Sequence, residues 1–436
     1  MTGLFRIAKA RRWLVADARV LGADAPRLDA QGFGRVDILV DDGRIAAVAP
    51  TGAADFGETP RLPLGGRIAL PAFVDAHTHL DKGHIWTRAP NPSGDFAGAL
   101  QTVLADRKSR WSAEDVAARL EFSLKCAYAY GSRAIRTHLD SQGPQSEISF
   151  PVFAAARERW RGRIELQASP LFGVDVMFEP GHMETIERMV ETHGSGILGA
   201  VTYVIPRLQE ALDALFALAA RKQWDLDFHV DESADPAART LGVIAETAIA
   251  RNFGGKILVG HCCSLARQDD GERAEVVEKV ARAGISVVSL PMCNMFLQDR
   301  HAGRTPRWRG VTALHELRAA NVETMIASDN TRDPFYAYGD LDMLEVWREG
   351  VRILHLDYPY GRWADAVGTA PARALRVDPP RIAVGEPADF ILTAAREFTE
   401  LFSRPQIDRV VVRNGAALDA AAPPYSELDA LEGLAP

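Results

Sequence analysis

Eight short apolar runs separated by stretches of helical pattern constrain this chain more than any other feature. The runs lie at 68–76, 133–139, 164–170, 197–204, 225–230, 256–262, 285–291 and 324–328. Between them 113–130, 206–222, 237–252, 271–283 and 310–320 carry helical spacing. Strands that alternate with helices pair in parallel, because a parallel neighbour is reached only by a long crossover. Eight such units predict closure into a barrel. The fold class predicted is α/β: a distorted (β/α)8 TIM-type barrel over 67–383, with a small β-sandwich domain built from both chain termini, 1–66 and 384–436.

The ends support the second domain. Val36-Asp37-Ile38-Leu39-Val40, the turn Asp41-Asp42-Gly43, and Arg44-Ile45-Ala46-Ala47-Val48 read as a hairpin. Ala388-Asp389-Phe390-Ile391-Leu392 and Val410-Val411-Val412 return to the same texture. In the middle, 81–111 shows no periodicity and carries Pro90, Pro92, Gly94 and Gly98, which predicts a loop covering the substrate.

Charge and cysteine usage narrow the partners and the compartment. A net charge of -8 leaves no electrostatic footprint for nucleic acid. No apolar stretch approaches the roughly 18 to 20 residues of a membrane span. Arg6, Lys9, Arg11 and Arg12 have no apolar segment behind them, so the N-terminus does not read as a signal peptide. Cys126, Cys262, Cys263 and Cys293 form no CxxC pair, which predicts a reducing, cytoplasmic setting. The adjacent Cys262 and Cys263 read as small buried hydrophobes.

The chemistry-bearing residues fall at strand ends, where barrel enzymes carry their sites. Of 11 histidines, five stand there: His77, His79, His138, His229 and His261. Asp329 closes the eighth run. His77 and His79, spaced i, i+2, share one strand face about 7 Å apart and can reach one metal ion.

These residues resemble the amidohydrolase superfamily across nearly the whole chain, through Val74-Asp75-Ala76-His77-Thr78-His79, His229, His261, Asp329 and Gly385-Glu386-Pro387-Ala388-Asp389. More narrowly, Ile135-Arg136-Thr137-His138-Leu139-Asp140, Phe228-His229-Val230-Asp231-Glu232 and Ser328-Asp329-Asn330-Thr331-Arg332-Asp333 resemble cytosine deaminase and its relatives. The His-Leu-Asp-Lys and Ser-Asp-Asn pieces are also similar to N-isopropylammelide amidohydrolase.

The resemblance implies a cytoplasmic hydrolase of carbon–nitrogen bonds, deaminating a small amino-substituted N-heterocycle such as a pyrimidine. It implies one divalent ion per subunit, Zn2+ or Fe2+, held by His77, His79, His229 and Asp329. Three imidazoles and a carboxylate suit those ions better than Mg2+ or Ca2+. The fourth strand supplies no lysine to bridge a second ion. Catalysis falls to Glu232, His261 and Asp329. Strand alternation alone nominates Asp231, which shares a face with His229; the resemblance nominates Glu232 and leaves Asp231 a supporting part.

His138, Asp140, Leu171, Trp86, Asn330 and Phe335 are the candidate substrate contacts. His138 and Asp140 read equally well as orienting groups, and Tyr336 joins Trp86 and Phe335 as a possible aromatic wall. Lys82 reads as a solvated loop charge. Leu171 stands where cytosine deaminases carry a glutamine that reads the pyrimidine, which argues against cytosine itself; Gln167 lies too early to replace it. Alkylamine release from a triazine-like ring and cyclic-amide hydrolysis are the competing activities. The family leans toward a homo-oligomer.

Overall fold

Ala72 divides the first apolar run into two strands with different partners. In the computed structural model, which describes residues 10–22, 27–419 and 421–433, Ile68–Pro71 pairs with Arg12–Leu21 and Phe390–Leu392. Phe73–Thr78 pairs instead with Ser132–Asp140. The single strand expected over 68–76 is therefore corrected to two. Pro71 has no amide hydrogen to continue a ladder, and a proline is tolerated only where pairing ends. Arg6 and Lys9, part of the basic N-terminal stretch, lie outside the described residues.

The other runs form strands close to their expected bounds. The second to eighth strands are Ser132–Asp140, Glu165–Leu171, Ile197–Thr202, Asp225–Val230, Ile257–His261, Ser286–Ser289 and Thr324–Ile326. The first three pair in parallel, and so do the last five. Isolated parallel bridges join Gly173 to Val201 and Thr78 to Asp329. The two sheets thus curl around a common interior in a TIM-barrel-like arrangement. Helices Ala113–Ala129, Ser146–Arg159, Leu208–Lys222 and Thr240–Ala250 lie in the connections. They bury Leu120, Phe150, Phe153, Leu215, Phe216 and Ile244 in one large apolar core.

The segment expected as a loop contains a helix, Phe96–Arg110. Asp95 caps it by accepting from the Gly98 amide. Only Ala99, Val103 and Asp106 of this helix are buried; Phe96, Leu100 and Leu104, at helical spacing, line a cavity instead of being buried in the core.

Both termini build one continuous eight-stranded sheet around a core of Trp13, Ile38, Val40, Ile45, Phe390 and Val412. The sheet curls far enough for the Trp13 indole to donate to the Gly415 carbonyl at 2.8 Å. The Asp-Gly hairpin turn is present, with Asp42 and Gly43 at φ +48° and +80°, the left-handed pair such turns demand. Cβ at Gly43 would also sit 3.1 Å from the Asn414 carbonyl oxygen. Among the described residues no helix is long and apolar enough to cross a membrane, and all four cysteines are free and buried.

Candidate active site

Pleating aims His77 and His79 at one side of the first strand, and the neighbouring strand ends bring the other polar groups to them. His229 lies on the fifth strand, His261 ends the sixth, and Asp329 follows the eighth. His261 and Asp329 adopt φ of +70° and +65°, a backbone state that costs a non-glycine residue energy and that active sites retain. The Asp329 amide donates to the His77 carbonyl at 2.9 Å, which locks the carboxylate over the histidines.

The donor atoms converge tightly. Asp329 Oδ1 is 3.2 Å from His79 Nε2 and 3.6 Å from His77 Nε2. His79 Nε2 and His229 Nε2 are 3.3 Å apart. Donors around a tetrahedral ion with bonds of about 2.1 Å stand about 3.4 Å apart, so this spacing suits one divalent cation. Both His77 ring nitrogens, Nδ1 of His79 and His229, and both Asp329 oxygens are buried without a hydrogen-bond partner. Burial, then mutual repulsion among the imidazoles, drives the pKa of His77 and His229 well below the usual histidine value; His79 is lowered likewise by burial and Lys82. Neutral imidazoles are the form that binds metal.

His138 packs behind this group, its ring 4.1 Å from His77 and 4.6 Å from His229. Its Nε2 lies 3.1 Å from Asp227, whose other oxygen accepts from Arg136 at 2.9 Å. Arg136 also donates to Gln167, which donates to the Leu375 carbonyl. That network leaves Gln167 away from the cavity.

Asp231 and Glu232 part company because the fifth strand ends at Val230 and Asp231 turns to φ +48°. The Asp231 carboxylate accepts from the Thr240 and Leu241 amides and the Thr240 hydroxyl, holding the start of helix Thr240–Ala250. Glu232 faces the cavity and accepts from Asn294 Nδ2 at 2.9 Å, while the same nitrogen lies 3.0 Å from His261 Nδ1. Burial, then the Asp329 carboxylate, raises the Glu232 pKa well above normal. Burial pushes Asp329 up to about 7 and pulls His261 down to about 3.

His79, His229, Glu232 and His261 close the inner end of a cavity of about 340 Å³. Lys82, Asp140, Leu171, Asn330 and Phe335 line its sides, and Phe96, Leu100, Val103, Leu104 and Arg107 wall its outer part. Trp86 and Tyr336 do not reach it. The Trp86 amide is tied to the Arg332 carbonyl, and Tyr336 packs its ring on Phe296 and Tyr338. Lys82 is no solvated loop charge: it is 4% exposed and lines the cavity. Burial pulls its pKa down, but Asp140, Asp333, Asp81 and Asp329 outweigh that and hold it above normal. Asp81 is buried as a brace, accepting from the Asp140 amide and the Ser149 hydroxyl.

Asn294 and Arg107 escape a sequence reading. Asn294 lies on the short helix Pro291–Leu297 after the seventh strand, and its strand-end placement was the available signal. Arg107 sits on helix Phe96–Arg110, inside the segment read as a loop.

The amidohydrolase family model matches residues 153–416. Pterin deaminase of Rhizobium rhizogenes is 52% identical over 415 residues, covering 95% of this chain and 94% of the relative. N-isopropylammelide isopropyl amidohydrolase of Pseudomonas is 22% identical over 326 residues, covering 68% and 77%. The crystal structure of 5-methylcytosine deaminase from Klebsiella pneumoniae superposes with a TM-score of 0.80 at 26% identity, covering 93% of this chain and 97% of that one. Fold, site and relatives together define a hydrolase of carbon–nitrogen bonds, of the deaminase kind. The chain belongs to the amidohydrolase family.

Proposed function

We propose that this protein hydrolytically deaminates a 2-amino-4-oxopteridine or a closely related fused amino-heterocycle. The observation that carries the proposal is the pairing of Glu232 with Asp329 over the histidine cluster, at the inner end of a cavity that continues outward to Phe96, Leu100 and Leu104. A lone pyrimidine would leave that apolar outer part unfilled; a fused second ring would occupy it. The 52% identity to a pterin deaminase supports the same substrate class.

His77, His79, His229 and Asp329 would hold one Zn2+ or Fe2+, as their nitrogen and oxygen donors favour. When bound, the ion supplies the Lewis acidity that lets water give up a proton near neutral pH. Asp329 takes that proton as oxygen bonds to the amine-bearing ring carbon. Glu232 delivers its own proton to the adjacent ring nitrogen, which receives the electron pair of the C=N bond. Asp329 then returns a proton to the amine, the carbon–nitrogen bond breaks, and ammonia leaves. Glu232 recovers its proton from the new hydroxyl, leaving an oxo group. His261, joined to Glu232 through Asn294, orients the attacking water, and Asp140 and Asn330 offer polar contacts to the ring.

We place this site in a distorted (β/α)8 barrel whose first strand is Phe73–Thr78, and count Ile68–Pro71 with the small domain that the two ends of the chain build. The test is ammonia release by metal-replete enzyme against aminopteridines, pyrimidines and triazines, with product masses. Ammonia from a 2-aminopteridine is the expected result. Alkylamine release from a triazine alone, or gain of water with ring opening, would replace this reading.

A further inference from the structure

Lys82 follows Asp81 in the loop after the first strand and brings an ammonium group into the cavity. Burying an ammonium costs several kcal/mol unless its charge and its three N–H donors are satisfied. The charge is favoured by the carboxyl groups of Asp140, Asp333, Asp81 and Asp329 around it. The donors open onto the cavity: among the described residues, no carboxylate forms an ion pair with Nζ and no group accepts a hydrogen bond from it. The nitrogen stands 4.6 Å above the Phe335 ring, a contact that holds the side chain in place without using its donors. Leu171, whose side chain has no polar atom, also lines the cavity.

We infer that Lys82 is the specificity-determining contact of this site, donating to an acceptor on the substrate ring, the 4-oxo oxygen. An amide reads donors and acceptors alike, whereas an ammonium has three donors and no acceptor. Lys82 therefore selects rings that present an oxo group beside the reacting half. The inference rests on the site being a heterocycle deaminase, and it assigns Phe335 to seating Lys82 rather than to stacking on substrate.

The experiment compares 2-amino-4-oxopteridine with 2-aminopteridine, which lacks the oxo group, on wild type and Lys82→Met. Melting temperature and metal content report the integrity of the variant. Lys82→Met is expected to lose about 100-fold in kcat/KM on the oxo ring and less than about threefold on the ring without it, because an unmet hydrogen-bonding group is what discriminates. Lys82→Gln, which keeps a donor, serves if the methionine variant does not fold, and should retain part of the preference. Turnover by wild type with a preference that neither variant reduces overturns this inference alone. Wild type inert on both rings overturns the deaminase reading and this inference with it.

Discussion

Asp231 and Glu232 place two carboxyl groups on adjacent residues that face opposite ways. A left-handed turn at Asp231 separates them, sending one carboxylate to a helix start and the other into the cavity. Glu232→Gln keeps the Asn294 contact but cannot donate a carboxyl proton, so kcat/KM should fall about 10²- to 10⁴-fold with metal content unchanged. A Gln variant that turns over like wild type excludes Glu232 as the proton donor. The pH profile follows from the same pair. Asp329 must be ionised to take a proton from water, so activity falls as pH drops through its pKa, about 7 from burial and lower once a cation is bound. Glu232 must be protonated, so activity falls again as pH rises through its strongly raised pKa. In Glu232→Gln the alkaline limb should disappear and the acid limb remain.

At the scale of elements, the helix Phe96–Arg110 positions the outer cavity wall and is itself braced from behind. Arg88 bonds Asp106 at 2.9 Å and Asp115 at 2.5 Å, and Arg119 bonds Asp115 at 2.7 Å. The three side chains that meet at Arg88 are about nine-tenths buried or more. Arg88→Ala strips Asp106 of its cation and should cost about 3 kcal/mol, since a buried charge left unpaired is penalised more than the pair is worth. Denaturant unfolding measures this, and KM should rise because Phe96, Leu100 and Arg107 lose their support. Unchanged stability would mean that water replaces the arginine. This helix was missed in the sequence because it lies in a Pro- and Gly-bearing segment and its apolar residues Phe96, Leu100 and Leu104 line the cavity instead of being buried in the core. The helix Ala113–Ala129 was legible because its buried residues repeat at helical spacing behind a Ser112 cap.

At the scale of the molecule, the proposed ligands His77, His79, His229 and Asp329 lie on or just after the first, fifth and eighth strands, so a bound ion should stabilise the fold as well as the reaction. Complete chelation is expected to abolish ammonia release and lower the melting temperature. Ligand binding at a hundred times its Kd contributes about 2.7 kcal/mol. Zn2+ or Fe2+ should restore both properties, and Mg2+ should not. Full activity after chelation would remove the ion from the proposed chemistry. By itself the sequence determined the strand order, the strand-end histidines, Asp329 and the hairpin of the small sheet. Those signals are local: short apolar runs, fixed spacings and a turn that demands positive φ. Only the tertiary structure decided that Ala72 splits one run between two sheets, that Asp231 turns away from the site, and that Asn294 joins Glu232 to His261. It alone decided that Lys82 is buried rather than solvated. Each of these depends on residues far apart in the chain meeting in space, and a buried charge is recognised only once its surroundings are known.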